Sequence, residues 1–339
     1  MLTDEALVAR DLGRYLFVLV KYLGFAGFET FLWGDRQTRS KIEAGKWAGR
    51  LLDQSDVRLM DLAGNTVQSE FGPKDIVIYS SGGDQIGPFQ GLKQIELVKG
   101  RKLTLQPSSY DVLFPYMLHP KYYADGRHLK TASWRRGRRN IGLFFSGNYD
   151  ERYRNPDILS KFGKLQRTAI LERLLESLPK PSVFRASADF SSELAATRLE
   201  DRFVFVDNLA GFRVEKSRWL ETLAHCRFFL ACPGVDMPLS HNLVEAMSVG
   251  CIPLTQNGDY FDPPLRDGYE CVAHEGVDVV DRAESALIMG EEKIAAMRRH
   301  VIDYYERYLS ADAFRRRALE CSDQKIRLGL NFMPKEGLF

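Results

Sequence analysis

The stretch FFLACPGVDMPLSHNLVEAMSVGCIPLTQ, Phe228–Gln256, decides how this chain is read. It opens on an apolar run that stops at Pro233-Gly234, as a buried strand stopped by a turn does. A short polar loop leads into a helix-like segment that begins Ser240-His241-Asn242 and carries one acid, Glu245. After the small-residue break at Gly250 a second apolar run, Cys251 to Leu254, reads as another strand.

Strand, helix and strand in this order predict a parallel sheet, and ligands of such sheets sit at the carboxyl ends of the strands. Both the Cys232-Pro233-Gly234 turn and the helix start fall at such an end. A helix N-terminus presents unpaired N–H groups and partial positive charge, which suits phosphate. Ser240, His241 and Asn242 can add side-chain donors there. Glu245 lies at i+4 from His241, on the same face. A carboxylate does not serve a phosphate, but it accepts hydrogen bonds from a pair of sugar hydroxyls such as those of a ribose. The bland reading is an ordinary N-cap at Ser240 and a surface acid at Glu245.

Outward from this stretch the chain alternates. Toward the N-terminus, Asp11 to Phe28 has helical spacing, GFETFLWGD, DIVIYSSGGD, RKLTLQ and DVLFPYMLHP read as strands, and residues 1–130 form one α/β unit. Tyr123 to Asn140, with the basic run WRRGRR at 134–139, lacks apolar periodicity and reads as a solvated linker. The pattern restarts with the strand IGLFFSGN, an amphipathic helix from Lys164 to Leu178, the strands PSVFRAS and FVFVDN, the helix KSRWLETLAHC and the strand YECVAHE. After Asp281 the periodicity is helical. Two doubly wound units and a helical tail result, bounded at 1–130, 139–295 and 296–339.

Bulk properties agree with this and exclude other classes. The chain has 339 residues, 45% hydrophobic and 27% charged, enough for two cores of ordinary size. A net charge of +2 gives no global pull toward nucleic acid. Five cysteines without a CxxC pair read as buried free thiols rather than disulfides or zinc ligands. No acidic triad or His/Cys cluster has metal-ligand spacing, and the dinucleotide-binding glycine fingerprint is absent, so neither a metal nor another cofactor is expected. The N-terminus lacks the apolar core of a signal peptide, and the most apolar stretch, YLFVLVKYLGF, is too short to cross a bilayer. A cytoplasmic location is expected, with the basic run offering contact to anionic lipid at the inner face of a membrane.

PGVDMPLSHNLVEAMSVGCIPLTQ resembles the donor-binding segment of exostosin-like, GT-B-type glycosyltransferases: Pro233-Gly234, Ser240, Leu243-Val244-Glu245-Ala246 and Gly250-Cys251-Ile252-Pro253-Leu254 stand where that pattern has a Pro-Gly loop, a Ser-rich helix start, Leu-x-Glu-Ala and Gly-Cys-Ile-Pro-Val. YDVLFPYMLHP, RRNIGLFFSGN and the segment Ser217 to Gly234 look like further parts of it in the same order, so the likeness covers roughly 110–256. It implies a GT-B fold, two Rossmann-like domains facing across a cleft, with final helices returning to the first domain. It also implies a nucleotide-sugar donor, UDP-linked by preference, and an inverting transfer to a hydroxyl of a glycan or lipid-linked glycan, as in bacterial surface polysaccharide synthesis.

Under that resemblance Gly234, Ser240, His241 and Asn242 hold phosphate, Glu245 holds the ribose, and Gly147 and Asn148 after IGLFFS approach the donor. The pattern often has Arg where this chain has Asn242, and Asn cannot neutralise a diphosphate. Arg152, Arg185 and Arg213, or a protonated His241, are the candidate replacements, and GDP- or CMP-linked donors stay open. Asp84 in YSSGGDQ is the candidate general base, with His119 second and Asp35 third. A fucosyltransferase, a transferase of CMP-activated acid sugars, a nucleotide-sugar epimerase and a non-catalytic glycan-binding protein are the rival readings.

Overall fold

Apolar runs without alternation build the larger sheet. In the computed structural model of the chain, residues 12–34, 36–54, 56–61, 75–80, 92–100, 111–180, 183–186 and 198–331 are described. The strands among them are β1 (Thr30–Gly34), β2 (Val57–Asp61), β3 (Ile76–Ser80), β4 (Lys93–Gly100), β5 (Asp111–Leu113), β6 (Ile141–Ser146), β7 (Val183–Arg185), β8 (Leu199–Val206), β9 (Cys226–Ala231), β10 (Ile252–Thr255), β11 (Val272–Ala273) and β12 (Lys325–Asn331). The fold is mixed α/β, and every strand pair in its sheets is parallel. Two compact units result: residues up to Ala124 together with those from Tyr308, and Asp125–Arg307.

The second unit holds a six-stranded sheet in the order β11-β10-β9-β6-β8-β7. Every residue of β6 is buried, because both faces of a central parallel strand are covered by helices. From β6 the chain builds β7 and β8 on one side, then β9, β10 and β11 on the other. The order therefore reverses between β6 and β9, a topological switch point with a crevice at the carboxyl ends of those two strands. Gly142 lets β6 press on β8: a Cβ there would stand 2.5 Å from the Glu200 carbonyl oxygen.

The His241–Ser248 helix joins β9 to β10. It ends in a Schellman motif: the Gly250 N–H donates to the Met247 carbonyl at 3.0 Å and the Cys251 N–H to that of Ala246 at 2.9 Å. Gly250 has φ +75°, which explains the small residue at this break.

The first unit contains the β1–β2 pair and a four-stranded sheet in the order β3-β4-β12-β5. Its core gathers the Leu12–Phe25 helix with Phe114 and Phe314; the Tyr22 ring lies 5.8 and 5.6 Å from theirs, and its hydroxyl bonds that of Tyr123 at 2.8 Å.

The sequence reading is corrected in three places. The tail after 281 is not all helix, since Lys325–Asn331 is a strand inserted between β4 and β5. β2 and β4 are strands that apolar runs did not reveal. The basic run is solvated only at Arg136, Gly137 and Arg138. Arg135 is largely buried and bonds the Ser248 carbonyl at 2.8 Å, and Arg139 is 6% exposed and bonds the carbonyls of Leu223, Cys226 and Val249. Guanidinium groups here terminate helices, where the free carbonyls carry partial negative charge.

All five cysteines are free thiols, four of them buried. Burial raises Cys226 well above the ordinary thiol range and pushes Cys232, Cys251 and Cys271 up to about 12.

Candidate functional site

The carboxyl ends of β6 and β9 lead into two loops that meet on one side chain. Arg167, at the start of the Arg167–Ser177 helix, donates from Nε to the Pro233 carbonyl at 2.9 Å and from Nη1 to the Asn148 carbonyl at 2.7 Å. It is 6% exposed, its plane lies 4.0 Å from the Tyr153 ring centroid, and among the described residues no carboxylate lies within ion-pair distance of it. A buried cation without a direct ion pair thus stands at the switch point, with the Asp150 carboxylate acting on it from farther off. Burial lowers its pKa from the usual arginine value.

Two asparagines complete the frame. Asn155 Nδ2 donates to the Val235 carbonyl at 2.8 Å, and Asn257, just past β10, donates from Nδ2 to the Pro238 carbonyl at 2.8 Å. The 232–240 loop is therefore held from three directions, and Gly234 closes it with an N–H bond of 2.7 Å to the Met237 carbonyl. Asn257 is 1% exposed, and its Oδ1 is buried without a hydrogen-bond partner.

Ser240 occupies the N-cap position of the His241–Ser248 helix with extended backbone, φ −134° and ψ 151°. Its hydroxyl makes no capping bond, so it is not the ordinary side-chain cap of the bland reading. Ser240, His241 and Asn242 are half-buried. The eight-residue helix presents its first turn, without a side-chain cap from Ser240, on the same loop that Arg167 anchors.

Glu245 is not a surface acid. It is 3% exposed, and its Oε2 accepts the Trp219 indole N–H at 2.6 Å. Trp219 in turn packs on Phe144 of β6 and Phe229 of β9, at ring separations of 6.0 and 6.1 Å. The sheet core thereby fixes the orientation of the carboxylate one turn behind the helix start.

The sequence candidates divide by position. Gly147, Asn148, Gly234, Ser240, His241, Asn242 and Glu245 all lie on the carboxyl side of β6 and β9 or on the helix that follows. At Gly147 a Cβ would stand 3.5 Å from Arg167 Nη1, so the small residue keeps the backbone near the cation. Arg152 is exposed and spent on Asp150, whose oxygens accept from its Nε at 2.9 Å and Nη2 at 2.8 Å. Arg185 ends the edge strand β7 and faces Asp207 at 3.7 Å. Arg213 is exposed in the loop after β8. His119 belongs to the first unit, where its ring stands edge-on to Trp47 at 5.5 Å. Asp84 and Asp35 lie outside the described residues.

Arg167, Asn155, Asn257 and Trp219 escaped the sequence reading. A lone arginine opening an amphipathic helix has the pattern of a solvent-facing residue, and only the two returning loops bury it.

No protein-family model matches the sequence, and no curated protein matches it. Among solved structures, a glycosyltransferase from Rickettsia africae ESF-5 is similar over 94% of this chain and 96% of its own, at 11% identity and a TM-score of 0.47. At that distance the functional reading rests on the site itself.

Proposed function

We propose that the chain is a glycosyltransferase that binds a nucleotide-sugar at the β6–β9 switch point and transfers the sugar to a hydroxyl of a glycan or lipid-linked glycan. The observation that carries this reading is Arg167, a buried cation with no ion-pair carboxylate among the described residues, bridging the loops after β6 and β9 beside an N-terminus that Ser240 does not cap. A diphosphate supplies the charge this arrangement lacks: the guanidinium and the helix end would stabilise it as a leaving group. Arg167 then does the work expected of an arginine at position 242, where the chain has Asn.

Glu245, oriented by Trp219, is the acceptor for the ribose diol in this reading. The exostosin-like pattern of residues 110–256 points the same way. The GT-B fold class belongs to the same proposal, with the acceptor assigned to the first unit, and so do metal independence, inversion with Asp84 as base, and a role in polysaccharide synthesis.

A thermal-shift screen of the full chain against UDP, GDP, CMP and dTDP tests it. Binding to the native state alone adds about 2.7 kcal/mol at a hundredfold excess over Kd, so one nucleotide should stand out by several degrees. Incubating the matching nucleotide-sugar with a glycan acceptor should then release free nucleotide. A flat screen overturns the proposal; binding without release under any acceptor makes the protein a binder rather than an enzyme.

A further inference from the structure

Opposite the switch point, the amino ends of β6, β8 and β9 and the first two turns of the Glu291–Tyr304 helix line an open cavity of about 290 Å³. The helix supplies Glu291, Ile294, Ala295 and Arg298 from one face, and the strand starts supply Arg138, Arg139, Glu200 and Arg227. These residues all belong to the second unit, and none takes part in the site above.

The charges do not balance. Arg138 pairs with Glu200 at 3.3 Å, and Arg227 pairs with Glu291. Arg139 and Arg298 have no such partner: among the described residues their hydrogen bonds go to backbone carbonyls, those of Leu223, Cys226 and Val249 for Arg139 and that of Arg135 for Arg298. Two guanidinium charges remain over. They also act on each other, since burial first and the Arg298 charge second push Arg139 down to about 10.

The second observation is independent of charge. The Nε–H groups of Arg139, Arg227 and Arg298 are all buried without a hydrogen-bond partner. Arg139, at 6% exposure, is a built part of the interior rather than a surface chain. Unsatisfied buried donors are costly and rare in native proteins, and all three belong to residues that line this one cavity.

We propose that this cavity binds a phosphate-class anion: a phosphate mono- or diester head whose oxygens accept from these arginines. Two excess positive charges favour an anion, and guanidinium groups match phosphate oxygens in geometry. Free phosphoester and lipid headgroup share this chemistry.

The test is a titration of the full chain with sodium phosphate and with pyrophosphate, each against chloride at equal ionic strength, read by thermal shift in the native sequence, Arg298→Gln and Arg227→Gln. Arg298 bonds the Arg135 carbonyl and Arg227 pairs with Glu291, so far-UV circular dichroism checks that each variant folds. Saturable stabilisation is expected, weakened about tenfold or more in Arg298→Gln, since a hydrogen bond to a charged group is lost. Sedimentation with phosphatidylglycerol against phosphatidylcholine vesicles separates the sources: pelleting with the anionic vesicles that Arg298→Gln abolishes identifies a headgroup, and phosphate binding without pelleting identifies a soluble ester. No saturable binding to either, or binding that both variants retain unchanged, overturns the proposal.

Discussion

Glu245 shows how packing fixes one side chain. Its Oε2 satisfies the Trp219 N–H, with the residue 3% exposed. Glu245→Ala leaves that donor unmatched and should cost about 1–3 kcal/mol in urea denaturation, whereas Glu245→Gln keeps an acceptor and should cost less. If the carboxylate also grips a ribose, Glu245→Gln should weaken the selected nucleotide about tenfold with little loss of stability. Unchanged affinity in that variant would reduce Glu245 to a packing residue. His274, 2% exposed, gives a pH prediction. Its Nδ1 accepts the Gly276 N–H at 3.1 Å, its Nε2 is buried without a partner, and burial lowers its pKa to about 4. The unfolded chain takes up this proton near pH 6.5 while the folded chain refuses it. Its contribution is therefore full above about pH 6.5 and is lost as pH falls toward 4, at about 1.4 kcal/mol per unit. Denaturation at pH 7, 6 and 5 should show the native sequence losing about 2 kcal/mol more than His274→Asn over that range; parallel curves would refute the assignment.

At the scale of elements, the His241–Ser248 helix owes its place to its two ends. Gly250→Ala forces an alanine to φ +75° and brings its Cβ to 2.9 Å from Ile302 Cδ1. A loss of about 1–3 kcal/mol is expected in denaturant unfolding, and a neutral outcome would contradict the Schellman geometry. β6, β8, β9 and β10 were legible as sequence because burial on both faces leaves a continuous apolar run. β12 was not: Lys325 and Arg327 alternate with buried Ile326 and Leu328, a short signal after a long helical stretch, and its partners in β4 and β5 lie more than two hundred residues earlier. The helix start was visible from Pro-Gly and Ser-His-Asn. The cation near it was not, because Arg167 is buried only where the loops at Asn148 and Pro233 close on it.

For the whole molecule, the return of the tail makes the first unit depend on both ends of the chain. β12 is the strand between β4 and β5, and Lys93 Nζ bonds the carbonyls of Leu319 and Cys321 at 3.0 and 2.6 Å. A chain ending at residue 324 should lose the first unit's cooperative transition in calorimetry while the second unit retains its own; a full native endotherm would contradict the topology. Among the described residues no helix is long and apolar enough to cross a membrane. The central claim is that the β6–β9 switch point receives the diphosphate of a nucleotide-sugar. The most direct measurement is a crystal structure with the nucleotide that stabilises the chain most. It should show the diphosphate between the Gly147 and Gly234 loops, within reach of Arg167 and the first turn of the His241–Ser248 helix, with the ribose toward Glu245. A nucleotide bound elsewhere, with that crevice holding only water, would contradict the account.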